Sequence, residues 1–348
     1  MTTPAAPLRL NIDLDALAVN YRWLQRRSGV DTGAAVKANA YGLGVSRVVD
    51  RLAEEGCTTF YVATWAEAFE LAGSSGRPGI KVLHGFGEGD IGWIGKVAAV
   101  PVLGSVEEID RWRRHGNSPR CDIMIDTGMN RLGIDWRAFR PEMLTGLVVD
   151  TVHSHLASAD DPASPMNAEQ LRRFLAATPP LAGVRRSIAG SGGACLGGDF
   201  ALDHIRPGLG LYGGVPNASA AGELIQVVRP EARVLQVREV PAGDTAGYGA
   251  TWTATRDSRL AVLNIGYADG YLRGFSNRGH CRVGGVRCPV AGRVSMDLTI
   301  VDVTDAGPVA PGDWIEIDYD LPDAAAASGL AQYELLTGLG RRFDRVYR

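Results

Sequence analysis

The chain has 348 residues, a length that suits one large barrel and a second unit better than a single small domain. Its 45% hydrophobic and 22% charged residues are typical of a soluble globular protein, and its net charge of −3 argues against nucleic acid or an anionic membrane as a partner. No run of about 18 apolar residues occurs, so we expect neither a leader peptide nor a membrane span.

Short apolar segments in the first two-thirds of the chain predict β-strands. They begin near residues 34, 58, 80, 98, 121, 146, 185 and 201. Amphipathic runs with helical spacing lie between them, over residues 46–56, 65–73, 105–116 and 166–178. This alternation predicts βα units, and eight such units close naturally into a (β/α)8 barrel. An open, doubly wound sheet is the alternative.

Beyond about residue 222 the pattern changes to alternating strands separated by turns. The predicted strands are 232–240, 259–266, 281–292, 298–303 and 313–317, followed by a helix at 329–340 and a basic tail. We therefore predict a barrel over residues 1–222 and a mostly-β domain over residues 223–348. Whether roughly the first ten residues join the β-domain is left open.

Cysteine usage points to a reducing compartment. The five cysteines stand at positions 57, 121, 195, 281 and 288. Their number is odd and no CxxC pair occurs, which predicts reduced thiols in a cytoplasmic protein rather than a disulfide framework or a zinc site.

The segment AAVKANAYGLG, residues 34–44, places Lys37 at the end of the first clear barrel strand. Arginine supplies nearly all the cations of this chain, and the only lysines are Lys37, Lys81 and Lys96. Arginine stays protonated in proteins, whereas a desolvated lysine can lose its proton and act as a nucleophile. Active sites of such barrels lie at the carboxyl ends of the strands. We interpret Lys37 as an imine-forming amine; chance survival of a lysine is the alternative.

This segment resembles the cofactor-binding segment of alanine racemases, which use pyridoxal 5'-phosphate (PLP). Further similar segments follow in the family's order: DTGMNRLG (126–133), HSHLASAD (153–160), IRPGLGLYG (205–213), GYGATW (247–252), GYADGY (266–271) and GRVSMD (292–297). Each motif is weak alone, but the ordered set spans nearly the whole chain. The resemblance implies a PLP-binding (β/α)8 barrel followed by a β-domain, as the pattern also predicts.

The resemblance implies a two-base reaction. Lys37 would hold PLP covalently and shuttle the substrate α-proton on one face, and Tyr248 would be the base on the other face. Tyrosine has a pKa of about 10, so it needs help from neighbouring groups. His155 matches the family residue that hydrogen-bonds this tyrosine. An ordinary turn aromatic is the alternative for Tyr248.

The resemblance also assigns cofactor contacts. Arg206 would face the pyridine nitrogen, where it donates a hydrogen bond without giving up its proton, so the ring stays neutral and reprotonation at Cα is favoured. The phosphate contacts would be Tyr41, Ser191, Gly208 and Leu209, with Tyr212 as a looser addition. A further phosphate tyrosine of the family, near the C-terminus, falls at Arg341 and is a departure.

Substrate contacts are implied in the same way. Arg131 would lie near the substrate carboxylate, although the carbamylated lysine that positions this arginine in some relatives is replaced here by Met124. The backbone N–H of Met296, beside Asp297, would meet the same carboxylate, and Tyr267 would line the access channel. In the family these C-terminal groups complete the site of the other subunit, which implies a head-to-tail homodimer.

The sequence thus predicts a PLP-dependent racemase that interconverts L- and D-alanine, with a broader-specificity or serine racemase as the alternative. His153 and His155 form an HxH pair on a predicted strand and, with His204, also suit a barrel metallohydrolase. A PLP carrier without catalytic activity would lack the β-domain. A decarboxylase of related fold would need a roomier site, and a D-amino-acid dehydratase usually needs a metal. The segment GFGEGD (85–90) lacks the full spacing of a dinucleotide-binding loop.

Overall fold

The structure is a computed structural model that describes residues 6–75, 79–115, 120–180 and 183–348. The chain divides into two compact units. The larger unit is Leu17–Ile225, and the smaller one joins the segment that ends at Ala16 to Gln226–Arg348. The first five residues, which belong to the segment left open above, lie outside the described residues.

Short parallel strands form the centre of the larger unit. In chain order the first strands are β1 (Leu8–Ile12, in the smaller unit), β2 (Asp31–Thr32), β3 (Ala34–Ala35), β4 (Phe60–Val62), β5 (Ile80–Val82), β6 (Ala99–Leu103), β7 (Arg120–Asp126), β8 (Ile134–Asp135), β9 (Val148–His153), β10 (Arg185–Ser187) and β11 (His204–Ile205). Hydrogen bonds join β3, β4, β5, β6, β7, β9 and β10 in that order, and β8 adds to β7. All of these pairs are parallel.

The sheet closes on itself through β11. This strand pairs in parallel with β2, which only Gly33 separates from β3. The Ala35 N–H donates to the Pro207 carbonyl at 2.8 Å, and the Arg206 N–H donates to the Ala189 carbonyl at 2.9 Å. The strands therefore form a closed (β/α)8-type barrel, which confirms the predicted fold class and excludes the open sheet.

Helices connect the barrel strands, at Leu14–Ser28, Val45–Glu54, Trp65–Ser75, Val106–His115, Pro165–Ala177, Ser191–Leu196 and Gly198–Ala201. Each of the four predicted amphipathic runs is helical, although Gly116 lies outside the described residues. The helix Val45–Glu54 illustrates the reason, because Val48, Val49 and Leu52 fall on one face and are buried there.

A left-handed turn, Lys37–Tyr41, follows β3 directly. Its last four residues, none of them glycine, have φ between 53° and 55°. Such a backbone costs about 1–2 kcal/mol per residue, so neighbouring groups must hold it. One of them is Glu67, whose Oε1 accepts the Ala38 N–H at 2.8 Å while its Oε2 accepts the Ala63 N–H at 2.6 Å.

The smaller unit is mostly β. It contains β1, β12 (Val228–Val240), β13 (Thr245–Ala246), β14 (Trp252–Thr253), β15 (Ser258–Leu263), β16 (His280–Val283), β17 (Val286–Pro289), β18 (Thr299–Asp302), β19 (Trp314–Ile317), the helices Leu321–Ser328 and Gln332–Thr337, and β20 (Phe343–Tyr347). Its main sheet runs β17-β16-β19-β12-β1-β20, with β15 on β12 and β18 on β15. The mostly-β prediction is confirmed.

The C-terminal segment differs from the prediction. The residues interpreted as a basic tail form β20, which pairs in parallel with β1. Pairing with the N-terminal strand satisfies the backbone of this segment, and a partner so distant along the chain leaves no local signal. The helix Leu321–Ser328 was not predicted either.

Two expectations concern the environment of the protein. Among residues 6–75, 79–115, 120–180 and 183–348, no helix is both long and apolar enough to cross a bilayer. All five cysteines are unpaired and buried.

Candidate active site

The barrel brings several predicted residues to one end. Five of them follow the carboxyl ends of strands: Lys37 after β3, Arg131 after β7, His155 after β9, Ser191 after β10 and Arg206 after β11. Because the strands are parallel, these ends meet on the same face of the barrel.

Lys37 lies among positive charges. Burial and the charge of Arg131 lower the pKa of its ammonium below the usual value; Glu67 opposes this shift and Arg206 adds to it. Within the described part of the chain, no carboxylate forms an ion pair with Lys37. Lys81, a second barrel lysine, differs: its Nζ lies 3.0 Å from carboxylate oxygens of both Asp122 and Asp150. The lowered pKa means that the Lys37 amine loses its proton more readily than an ordinary exposed lysine.

His155 lies near the same positive charges as Lys37. Burial among the surrounding atoms, followed by the charges of Arg206, Arg131 and Lys37, lowers the pKa of His155 below its usual value. More than a third of the residue is nevertheless accessible to solvent. The lowered pKa favours the neutral imidazole, and the exposed part of the ring is accessible to another group.

Arg206 is 8% exposed and held by neutral acceptors. Its guanidinium donates to the Ser187 carbonyl at 3.0 Å, to Ser187 Oγ at 2.5 Å and to the Ser154 carbonyl at 2.6 Å. No carboxylate of a described residue pairs with it. Its position is thus fixed by hydrogen bonds to neutral acceptors and not by a direct ion pair.

Below Arg206 lies a chain of polar contacts that the sequence did not reveal. The guanidinium carbon is 5.9 Å from the ring centre of Tyr61. The Tyr61 hydroxyl is 2.9 Å from His204 Nε2, and His204 Nδ1 is 2.8 Å from Asp31 Oδ2. The carboxylate only accepts, so Nδ1 carries the proton and the tyrosine donates to Nε2.

Two of the three histidines of the metallohydrolase alternative, His153 and His204, are hydrogen-bonded to aspartates. His153 is fully buried and its Nε2 lies 2.9 Å from Asp122 Oδ2, whereas His155 follows the end of β9. His204 is engaged by Asp31 and Tyr61. No group of three or more His, Cys, Asp or Glu side chains in the described ranges could hold a metal ion. This alternative is not favoured.

Small residues and hydroxyls form a pocket suited to an anion. Ser191 Oγ accepts the N–H groups of Gly208 at 2.9 Å and Gly210 at 3.0 Å. Both lone pairs of this hydroxyl are then used, and its own proton is available to an anion. A Cβ on Gly208 would lie 2.2 Å from the Tyr41 hydroxyl. Gly208 therefore allows the Tyr41 hydroxyl to approach this backbone closely, beside the Ser191 hydroxyl.

Leu209 and Tyr212 are buried next to this pocket. Both are buried in the short 3-10 helix Leu209–Tyr212. The Tyr212 hydroxyl donates to the Ala35 carbonyl at 2.9 Å, and its ring centre is 4.6 Å from that of Tyr41. In this chain Tyr212 orients Tyr41 by ring contact, and its own hydroxyl is engaged.

The loop that carries Arg131 is shaped by a carboxylate that sequence reasoning missed. Asp126 accepts the N–H groups of Gly128 at 2.7 Å, Met129 at 2.9 Å and Arg131 at 3.0 Å. An acidic residue that ends a strand before Thr-Gly is a recognisable signal for such a turn. The loop borders a cleft of about 590 Å³ lined by residues that include Trp136. Asp126 therefore holds the backbone of this loop.

The smaller unit presents the remaining predicted residues at its surface. Tyr248 is 66% exposed and lies between β13 and β14, flanked by Gly247 and Gly249, each with φ of 74°. No described residue hydrogen-bonds its hydroxyl. Met296 is 54% exposed, and its backbone N–H donates to no group in the described part of the chain. Tyr267 begins the 3-10 helix Tyr267–Asp269.

Arg341, the predicted departure, is exposed. The same unit presents Tyr333, which is 48% exposed on the helix Gln332–Thr337 and which the sequence analysis did not single out.

Comparison with known proteins matches both units. The family model for the alanine racemase N-terminal domain covers residues 12–216, and that for the alanine racemase C-terminal domain covers residues 227–347. The alanine racemase of Acidiphilium cryptum is 41% identical, over 97% of this chain and 98% of the relative. The alanine racemase of Ruegeria sp. is 42% identical, over 97% of this chain and 98% of the relative.

Solved structures agree with the sequence comparisons. The alanine racemase from Bartonella henselae, with covalently bound pyridoxal phosphate, superposes with a TM-score of 0.89 at 35% identity, over 99% of this chain and 100% of that one. The biosynthetic alanine racemase from Pseudomonas aeruginosa gives a TM-score of 0.88 at 32% identity, over 99% and 100%.

Proposed function

The chain belongs to the alanine racemase family, and we propose that it interconverts L- and D-alanine with the help of pyridoxal 5'-phosphate. The observation that carries this proposal is the position of Lys37. Its amine lies at the carboxyl end of a barrel strand, with a lowered pKa, on the same barrel face as a pocket suited to a phosphate group. Loss of its proton is what an amine needs in order to attack an aldehyde.

The residues of this chain have distinct roles in the proposal. When bound, PLP would supply an electron sink for the negative charge left when alanine loses its α-proton. Lys37 would hold the cofactor and move the proton on one face. Arg206 would donate to the pyridine nitrogen and keep it unprotonated. Ser191, Gly208, Leu209 and Tyr41 would surround the phosphate.

Tyr248 is proposed as the second base, supplied by another copy of the chain. Its exposed phenol and the unsatisfied Met296 N–H support a site that one chain does not complete. In a head-to-tail homodimer, Tyr248 of one copy would reach Lys37 and His155 of the other, and Met296 and Arg131 would meet the substrate carboxylate. Tyr267 would line the channel. Arg341 or Tyr333 would approach the phosphate.

A cytoplasmic location is proposed from the unpaired thiols.

The test is racemisation followed by circular dichroism, with L-alanine and D-alanine as separate substrates. Enantiomers have equal free energy, so both reactions should converge on zero ellipticity at the same end point. A panel of other amino acids, including serine, measures the breadth of specificity. Persistence of the signal with both enantiomers in PLP-loaded protein would contradict the proposal.

The shared site is tested by mixing two inactive variants. A dimer of one Lys37→Ala chain and one Tyr248→Phe chain has one intact site and one site that lacks both groups. Random exchange of subunits should restore about one quarter of wild-type activity. If each chain contains a complete site, mixing restores nothing, and the homodimer proposal is wrong.

A further inference from the structure

Two loops of the smaller unit are joined side by side. The Tyr267 N–H donates to the Ser295 carbonyl, and the Ala268 N–H donates to the Met296 carbonyl, both at 3.0 Å. A Cβ on Gly266 would lie 2.4 Å from the Met296 carbonyl oxygen, so the two backbones meet without room for a side chain. Tyr267 and Met296 are therefore held in one arrangement.

Arg342 bridges the same two loops through their carboxylates. Its Nε forms an ion pair at 2.6 Å with Asp269, and its terminal nitrogen donates to Asp297 at 2.7 Å. Asp269 is 1% exposed, and its other oxygen accepts the Gly266 N–H at 3.0 Å. One planar guanidinium thus contacts Asp297, which follows Met296, and Asp269, which lies two residues after Tyr267.

The charges in this cluster bear on an anionic substrate. Asp269 and Asp297 lie beside the loop whose free Met296 N–H is proposed to meet a carboxylate, and they would repel that carboxylate. Arg342 compensates one of the two charges, and its fork geometry reaches both partners at once. A lysine would keep the charge but could not make both contacts with the same geometry.

We propose that Arg342 is a positioning residue for substrate binding: it fixes Tyr267 and Met296 and offsets the acidic charge near the substrate carboxylate. This inference rests on the proposed function. It assigns Arg342 no contact with the substrate and no part in holding PLP.

The experiment compares Arg342→Gln with Arg282→Gln in PLP-loaded protein. Arg282 is a matched control: its side chain is 47% exposed against 46% for Arg342, and it pairs with Asp318 on a different part of the unit. We expect Arg342→Gln to raise KM for alanine about tenfold with kcat within about threefold, and to weaken binding of propionate, a carboxylate without the amine, by a similar factor. Arg342→Lys should recover part of the loss, and Arg282→Gln should change neither constant.

Arg342→Lys guards against misfolding of Arg342→Gln, because it keeps the positive charge beside Asp269 and loses only the geometry that reaches both carboxylates. It should raise KM about threefold. KM and propionate affinity within twofold of wild type in both Arg342→Gln and Arg342→Lys would overturn the inference, as would equal effects in Arg282→Gln. If Arg342→Gln does not fold, the Arg342→Lys result decides. Wild-type racemisation tests the proposed function separately, and propionate binding needs no turnover.

Discussion

The two units present their functional groups in opposite ways. In the barrel, Arg206 is 8% exposed and its guanidinium is held by several hydrogen bonds. In the smaller unit, Tyr248 is 66% exposed and no described residue hydrogen-bonds its hydroxyl. The arginine proposed to contact the cofactor is thus fixed by contacts within its own unit, whereas the proposed second base is exposed at the surface of its unit. Substitutions in the two regions should therefore separate effects on cofactor binding and stability from effects on proton transfer.

The largest effect is expected at Lys37. Lys37→Ala removes both the covalent attachment and one base, and racemisation should fall by at least about 10⁴-fold. Borohydride reduction of wild type, followed by peptide mapping, should place PLP on Lys37. Lys81 and Lys96 are internal controls, since the chain has no other lysine. Cofactor on either of them would contradict the assignment.

Tyr248→Phe should cost about 10²–10⁴-fold in racemisation while PLP affinity and melting temperature hardly change, because no described residue of its unit hydrogen-bonds the hydroxyl. Tyr319→Phe is the opposite case. Its hydroxyl is buried and donates to the Leu335 carbonyl at 2.9 Å, so its loss should cost about 1 kcal/mol of stability and little activity. Equal activity losses in the two variants would contradict the assignment of a catalytic role to Tyr248 and a structural role to Tyr319.

Gly208→Ala tests the phosphate pocket. The new methyl group would lie 2.2 Å from the Tyr41 hydroxyl, so the dissociation constant for PLP should rise about tenfold or more, as measured by absorbance titration. Gly198→Ala is the matched control, since nothing lies within 4 Å of a Cβ there and its affinity should stay within about twofold. Unchanged affinity in Gly208→Ala would place the phosphate elsewhere.

The last effect is negligible at neutral pH and appears only as the pH falls. Burial lowers the pKa of His153 to about 3, from an ordinary value of 6.5. As pH falls below 6.5, the unfolded chain takes up a proton that the folded chain refuses, so this residue lowers stability by about 1.4 kcal/mol per pH unit down to roughly pH 3. His153→Gln should reduce the slope of the unfolding free energy against pH by about 1.4 kcal/mol per pH unit, which corresponds to one proton. Urea unfolding between about pH 4 and 6.5 measures it, and an unchanged slope would mean that another group is responsible.

The sequence by itself determined the barrel strands and the catalytic candidates. Alternating apolar strands and amphipathic helices are local patterns, and burial of an apolar face is enough to enforce them. The scarcity of lysine drew attention to Lys37, and ordered motifs located Arg206 and Tyr248 without any coordinates. The C-terminal strand β20 was missed, because its stability comes from pairing with β1 at the other end of the chain.

Only the tertiary structure decided which groups support the candidates. Ser187 and Ser154 hold Arg206, Asp126 shapes the Arg131 loop and Arg342 joins two loops. These partners are distant in sequence or commonplace in type, and no local pattern marks them. A hydrogen bond or an ion pair depends on distance and direction between groups that the fold brings together, and these quantities exist only once the chain has closed into its final shape.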